Sequence, residues 1–282
     1  MNKSLLIKFR GRETHASYMA YGDADKPQIL CLHGIGSTGS ESYEKISTFL
    51  TEKFQLIAPD WIGYGASDRP LGKNDTYDAD YCTDWLVSFV QTVQRAGVLH
   101  NTFHILAHSM SAIAVAKSYG ILGQLINKIV IINPAGLDTK ISKPFSFALT
   151  TRLINQHHLA KLVLFKPIWY WILRWSDKHR RRMIDGLENG ELEVLVRYAK
   201  AGINPNGTMR PSHHIPDVFS QIQRPTMLIC SEKDHIFYRQ AYRSFGARHN
   251  WTTKVMPYKN HYLLTRDAEQ VAYVINDFLQ TA

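Results

Sequence analysis

The stretch Ala107-His108-Ser109-Met110-Ser111 decides the fold of this chain. An apolar, strand-like run precedes it at 103–106, and a helix-like apolar run follows it at 112–116. A serine with small residues two positions away on either side, between a strand and a helix, is typical of a sharp turn that exposes the serine hydroxyl. Glycine usually occupies both small positions, which here hold Ala107 and Ser111. The stretch therefore predicts a nucleophile at Ser109, with a plain helix N-cap as the alternative.

Short apolar runs alternate with helix-like segments on both sides of this turn. The first two runs favour an antiparallel edge hairpin, and the later ones are separated by residues at helical spacing. Buried strands that alternate with helices indicate a parallel sheet covered on both faces. We therefore predict an α/β fold with a mostly parallel, twisted, eight-stranded sheet and helices on both faces. The strand-like runs are 5–9, 17–21, 28–32, 54–58, 102–107, 128–132, 225–230 and 252–256, and the helix-like segments are 43–52, 81–96, 109–119, 238–245 and 262–279.

The alternation stops between 137 and 217, where no β-branched strand-like run occurs. This region instead contains helical pieces separated by proline and glycine. We predict that 1–136 and 218–282 form the core domain and that 137–217 is a helical cap inserted above the sheet.

Composition limits the class of protein further. The chain has 282 residues, a formal net charge of +9 and 45% hydrophobic residues, which favours an ordered globular protein. No basic stripe with interleaved aromatic residues recurs, so nucleic acid is not an expected partner. Three cysteines without metal-ligand spacing favour a reducing compartment. Together with an apolar run too short for a signal peptide near the first residues, this predicts a cytoplasmic protein.

Two further residues follow predicted strands and can activate a serine. Asp234 comes after the strand-like run 225–230, and His261 comes after 252–256. The carboxyl ends of parallel strands share one edge of a sheet, so both side chains can meet Ser109 there. A serine hydroxyl needs a base and a third group that orients the base. The chain order serine, aspartate, histidine is the one expected in this architecture.

Each of these residues also has a purely structural interpretation. Ser109 can cap a helix, Asp234 can stabilise a turn, and His261 is one of thirteen histidines. The occurrence of all three, in this order and at strand ends, favours a catalytic triad over three unrelated roles.

Acyl transfer also requires backbone N–H groups that stabilise a negative oxygen. The loop His33-Gly34-Ile35-Gly36 follows an early strand and contains enough glycine to present such a donor. We predict an oxyanion hole made by the N–H groups of Ile35 and Met110. The alternative is that the loop is only a tight turn.

These motifs resemble those of serine hydrolases with the α/β-hydrolase fold, over about 5–136 and 224–279. The similar elements are His33-Gly34, the run 60–68, the turn at 107–111, Asp234 and His261. The resemblance implies that 137–217 is the cap of cap-bearing esterases and lipases, and that the run 60–68 is mostly structural. Relatives with an aspartate nucleophile, such as haloalkane dehalogenases and epoxide hydrolases, do not fit a serine at position 109.

The predicted cap contains many aromatic and basic residues. Its thirteen Lys or Arg outnumber seven Asp or Glu, most densely at 178–182. The basic charge is compatible with weak contact to an anionic membrane surface, although a solvated helix face is the favoured interpretation. The residues that we expect to line a substrate pocket are His33, Trp169, Trp171 and Trp175.

The sequence thus predicts a serine hydrolase that cleaves an ester, or a lipid-like substrate, with an apolar acyl group. No metal or organic cofactor is implied. Thioester hydrolysis and hydrolysis of a C–C bond can use the same residues and remain open. A non-catalytic ligand- or lipid-binding protein with the same fold is the alternative of another class.

Overall fold

The computed structural model describes residues 2–141, 190–204, 206–234, 236–237, 239–258 and 260–281. Its strands form one sheet whose first two members are antiparallel to their neighbours, while the other six run parallel. The predicted mostly parallel, eight-stranded sheet is therefore confirmed. The strands are β1 (Asn2–Phe9), β2 (Arg12–Tyr21), β3 (Gln28–Leu32), β4 (Gln55–Pro59), β5 (Phe103–His108), β6 (Ile126–Ile132), β7 (Thr226–Ser231) and β8 (Thr252–Met256), in the spatial order β1-β2-β4-β3-β5-β6-β7-β8.

Helices cover both faces of this sheet because successive strand residues point to opposite sides. In β3, Ile29 and Cys31 pack into one apolar cluster, whereas Leu30 and Leu32 pack into the other. The first cluster includes the buried sides of the helices Gly39–Leu50, Leu263–Arg266 and Ala268–Gln280, and the second includes those of Ala79–Arg95 and Ser111–Leu122. The helices are α1 (Gly39–Leu50), α2 (Ala79–Arg95), α3 (Ser111–Leu122), α4 (Glu191–Gly202), α5 (Pro216–Phe219), α6 (Arg239–Arg248), α7 (Leu263–Arg266) and α8 (Ala268–Gln280).

The single helix predicted over 262–279 is wrong in one respect. The structure divides it at Asp267, whose backbone (φ −126°, ψ 34°) is not helical, into α7 and α8. Asn260 donates a side-chain hydrogen bond to the Asp267 carboxylate at 3.1 Å. Apolar residues continue at helical spacing across the break, so periodicity does not reveal it.

Helix α4 lies within the predicted cap region and packs onto the core. Glu191 at its first turn pairs with Arg69 at 3.2 Å, and Arg69 also donates to the carbonyl of Gly63. Val194 is fully buried in the larger apolar cluster. These contacts tie α4 to the loop after β4. Residues 142–189 lie outside the described residues, so the extent of the cap stays a prediction.

Among the helices within the described ranges, none has both the length and the apolar character that a bilayer span requires.

His104 in β5 makes stability depend on pH. Burial lowers the pKa of His104 to about 4, and its Nδ1 has no hydrogen-bond partner in the described part of the chain. As the pH falls from about 6.5 towards 4, His104 therefore binds a proton in the unfolded chain but stays neutral in the native state. Since the unfolded state binds more protons there, this residue costs up to about 1.4 kcal/mol of stability per pH unit.

The variant His104→Phe is expected to keep the edge-to-face contact with Phe54 and to flatten this pH dependence. Urea unfolding at pH 7, 6 and 5 measures it. The slopes of the unfolding free energy against pH should differ between the two proteins by up to about 1.4 kcal/mol per pH unit, which corresponds to one proton. Parallel stability curves would contradict the assignment.

Candidate active site

Ser109 occupies a sharp turn between β5, which ends at His108, and α3, which begins at Ser111. Its φ of 58° is left-handed, a conformation that costs a side-chain-bearing residue roughly 1–2 kcal/mol. Neighbouring backbone offsets this strain, because Ser109 N–H donates to Ile132 O and Ala135 N–H donates to Ser109 O, both at 3.0 Å. The predicted turn is therefore present, with the loop after β6 holding it in place.

Ser111 stands where the usual pattern has glycine, and its side chain makes hydrogen-bond contacts with three backbone carbonyls. The hydroxyl is fully buried and lies 2.7 Å from Leu32 O, 2.6 Å from His33 O and 2.9 Å from His108 O. Its one proton can be donated to one of these carbonyls at a time. Ser111 thus links the end of β3 to the end of β5.

The glycine loop after β3 packs directly on the Ser109 turn. A Cβ atom placed on Gly34 would lie 3.1 Å from Cβ of Ser109 and 3.0 Å from Nδ1 of His108. A side chain at this position would push the loop and the turn apart, which is the physical reason for glycine there. The N–H groups of Ile35 and Met110 donate no hydrogen bond to other groups within the described ranges. This is the state required of oxyanion donors.

His33 supports this loop. Its Nε2 accepts the Trp61 N–H at 3.0 Å, so its Nδ1 carries the proton and donates to Gly34 O at 2.8 Å. The Trp61 indole N–H donates to the His33 carbonyl at 2.9 Å. The ring is fully buried and both of its nitrogens bond to backbone groups, so it holds the loop in place. The expectation that His33 lines the substrate pocket stays a prediction. Because both ring nitrogens are bonded, only the carbon atoms of the ring could contact a substrate there.

Asp234 and His261 form a buried pair. Nδ1 of His261 lies 2.8 Å from Oδ2 of Asp234, with the two side chains 2% and 0% exposed. The other oxygen, Oδ1, accepts the backbone N–H of Ile236 at 2.7 Å. With Nδ1 committed to the carboxylate, Nε2 is the nitrogen that can accept a proton from a nucleophile. The ring centroids of Phe237 and Tyr262 lie 5.7 and 5.5 Å from that of the imidazole ring.

Comparison with known proteins agrees with this architecture. A family model described as "Alpha/beta hydrolase family" matches residues 29–272, which is most of the chain. The chain belongs to the alpha/beta hydrolase family.

Individual relatives of this alpha/beta hydrolase are distant. A human serine hydrolase-like protein is 26% identical over 121 residues, covering 42% of this chain and 55% of the human protein. The chain thus spans about half the length of that curated relative.

Two solved structures share the fold over nearly the whole chain. The first is the meta-cleavage product hydrolase CumD from Pseudomonas fluorescens, with a TM-score of 0.73, 18% identity, and coverage of 98% of this chain and 97% of CumD. The second is a thermophilic esterase from Thermogutta terrifontis, with a TM-score of 0.72, 14% identity, and coverage of 99% and 98%. At these identities the likeness shows the fold alone.

Part of the predicted site of this alpha/beta hydrolase lies outside the described residues. Trp169, Trp171 and Trp175 belong to that part, as does the basic run 178–182. Within the described ranges, no group of three or more His, Cys, Asp or Glu side chains is placed to hold a metal ion.

Two residues behind the Asp234–His261 pair are not among the residues predicted from the sequence. His108 and Asn133 both contact the backbone carbonyl of His261, each at 3.0 Å. A signal was available for Asn133, since it immediately follows β6 at the same edge of the sheet as the predicted triad.

Proposed function

We propose that this alpha/beta hydrolase is a serine hydrolase that cleaves a carboxylic ester with an apolar acyl group. The supporting observation is the Asp234–His261 pair, bonded at 2.8 Å and buried at the same sheet edge as the left-handed Ser109 turn. A carboxylate that fixes one ring nitrogen of a histidine next to a strained serine is the arrangement that activates a hydroxyl.

In the first half of the reaction, Oγ of Ser109 attacks the ester carbonyl carbon while Nε2 of His261 takes the hydroxyl proton. Asp234 keeps the proton on Nδ1 and stabilises the imidazolium that forms. The carbonyl oxygen becomes negative and accepts hydrogen bonds from the N–H groups of Ile35 and Met110, each donor contributing about 3 kcal/mol. The C–O bond to the alcohol breaks, and Nε2 returns the proton to the leaving alkoxide.

In the second half, water replaces the alcohol. His261 removes a proton from the water, the hydroxide adds to the acyl carbon, and the bond to Ser109 Oγ breaks as His261 reprotonates it. The products are the carboxylic acid and the free enzyme. Every proton is carried by His261, so the scheme requires no cofactor.

The apolar acyl group is inferred from the surroundings of His261. The rings of Phe237 and Tyr262 lie next to the imidazole and present hydrocarbon at the predicted reaction centre. One structural neighbour is named an esterase and another a meta-cleavage product hydrolase, so the shared fold is compatible with both chemistries. We place ester hydrolysis first, and the test includes the alternatives.

The decisive experiment combines a fluorophosphonate probe with a substrate panel. We expect the probe to label the peptide that contains Ser109, and p-nitrophenyl octanoate to be turned over with a higher kcat/KM than p-nitrophenyl acetate. Turnover of an acyl-thioester or a ring-cleavage C–C substrate, without turnover of any ester, would contradict the ester assignment. A folded protein that is neither labelled nor active would indicate a binding protein.

Two further features remain proposals. We expect a cytoplasmic location on the basis of cysteine content. We also expect the basic segment 178–182 to give at most weak, salt-sensitive contact with anionic vesicles.

A further inference from the structure

The carbonyl of His261 accepts hydrogen bonds from two side chains, one at the end of β5 and one just after β6. Nε2 of His108, the last residue of β5, and Nδ2 of Asn133, directly after β6, each lie 3.0 Å from it. Burial lowers the pKa of His108 to about 3, so its ring is neutral and Nε2–H can donate. Two donors on one backbone oxygen fix the peptide plane that carries the imidazole ring.

The amide of Asn133 has only one orientation that satisfies its neighbours. Its Oδ1 must accept the backbone N–H of Ser231 at 2.9 Å, so its Nδ2 faces His261 O and the Ser231 hydroxyl, both at 3.0 Å. The Ser231 hydroxyl then donates to the carbonyl of Asn260, next to His261. Asn133 and Ser231 are fully buried. An orphaned donor or acceptor in such a site is costly, so the network specifies one arrangement.

The backbone of Asn133 is adapted to this role. Its φ of 42° is left-handed, a conformation that asparagine tolerates better than most residues. Its own N–H is bonded to Ile229 O at 2.9 Å. The backbone of Asn133 is therefore fixed, and its side chain contacts both Ser231 at the end of β7, three residues before Asp234, and the backbone of His261.

We infer that Asn133 is a positioning residue that orients the catalytic histidine by holding the His261 carbonyl. The inference rests on the proposed function, in which His261 is the base. Asp234 fixes one end of the ring and Asn133 fixes the backbone from which the ring projects. Without the hydrogen bond from Asn133 to the His261 carbonyl, the imidazole ring can move away from Ser109. A displacement of about 1 Å can lower the rate about 100-fold.

The test uses Asn133→Asp and Asn133→Gly in the full chain. Aspartate keeps the shape and tolerates the backbone conformation but, when ionised, has no proton for His261 O. Glycine removes the side chain and relieves the positive φ. The matched control is Asn250→Asp, because Asn250 is an exposed asparagine with a similar φ of 55°. Measurements are kcat and KM for p-nitrophenyl butyrate, the rate constant of fluorophosphonate labelling, and Tm.

We expect both Asn133 variants to lose about 10- to 100-fold in kcat and in labelling rate per folded molecule, with KM within about two-fold of wild type. The control should match wild type in every measurement. Folded variants that are labelled at the wild-type rate, or that change only Tm or KM, would overturn the inference. A wild-type chain that is not labelled would instead overturn the proposed function, and the inference with it.

Discussion

Replacing Ser109 with alanine is expected to lower kcat for p-nitrophenyl butyrate by about 10⁶-fold and to abolish fluorophosphonate labelling. The reason is chemical, since the only atom that forms the acyl bond in the proposed mechanism is Ser109 Oγ. Binding and the two oxyanion donors remain, so a residual rate of about 10³–10⁴ times that of water is expected.

Strain at the turn supplies a second test of the same residue. Alanine keeps the cost of a left-handed backbone at φ 58°, whereas Ser109→Gly relieves it. Both variants should be inactive, with the glycine variant more stable by about 1 kcal/mol. Ser118→Ala is a matched control, because Ser118 is a buried serine of α3, the helix that follows the turn. Substantial labelling of Ser109→Ala would show that the nucleophile lies elsewhere.

The second large effect is expected for Asp234→Asn, with a loss of about 10⁴-fold in kcat near neutral pH. The asparagine N–H can donate to Nδ1 of His261, which moves the ring proton to Nε2. A protonated Nε2 cannot accept the proton of Ser109, so the base is lost although the residues keep their places.

The control for this substitution is Asp84→Asn. Asp84 pairs with Arg10 at 2.7 Å on the surface and is half-exposed, so its loss should leave kcat unchanged. Measurement of kcat and of the fluorophosphonate labelling rate for both variants tests whether Asp234 orients His261. Retention of more than a tenth of the activity by Asp234→Asn would assign the orienting role to another group.

The strands and the sheet were predictable because their signals are local. Buried parallel strands are short apolar runs, so the predicted run 28–32 coincides with β3, Gln28–Leu32. Errors occurred where a local pattern continues across a structural boundary, as at Asp267, where apolar spacing hides the break between α7 and α8. The sequence singles out Ser109, Asp234 and His261 because each follows a strand end, and the structure brings Asp234 and His261 into contact.

Alone, the sequence determined the alternation of strands and helices, the turn at Ser109, and the candidates for the base, His261, and for the carboxylate that orients it, Asp234. Residue spacing and strand order carry that information. Only the tertiary structure decided what His33, Ser111 and Asn133 do, because each acts through hydrogen bonds to groups distant in the chain. Asn133 and His261, for example, are separated by 128 residues. Their contact depends on the register of β6 against β7 and on the path of the loop after β8, which no local pattern specifies.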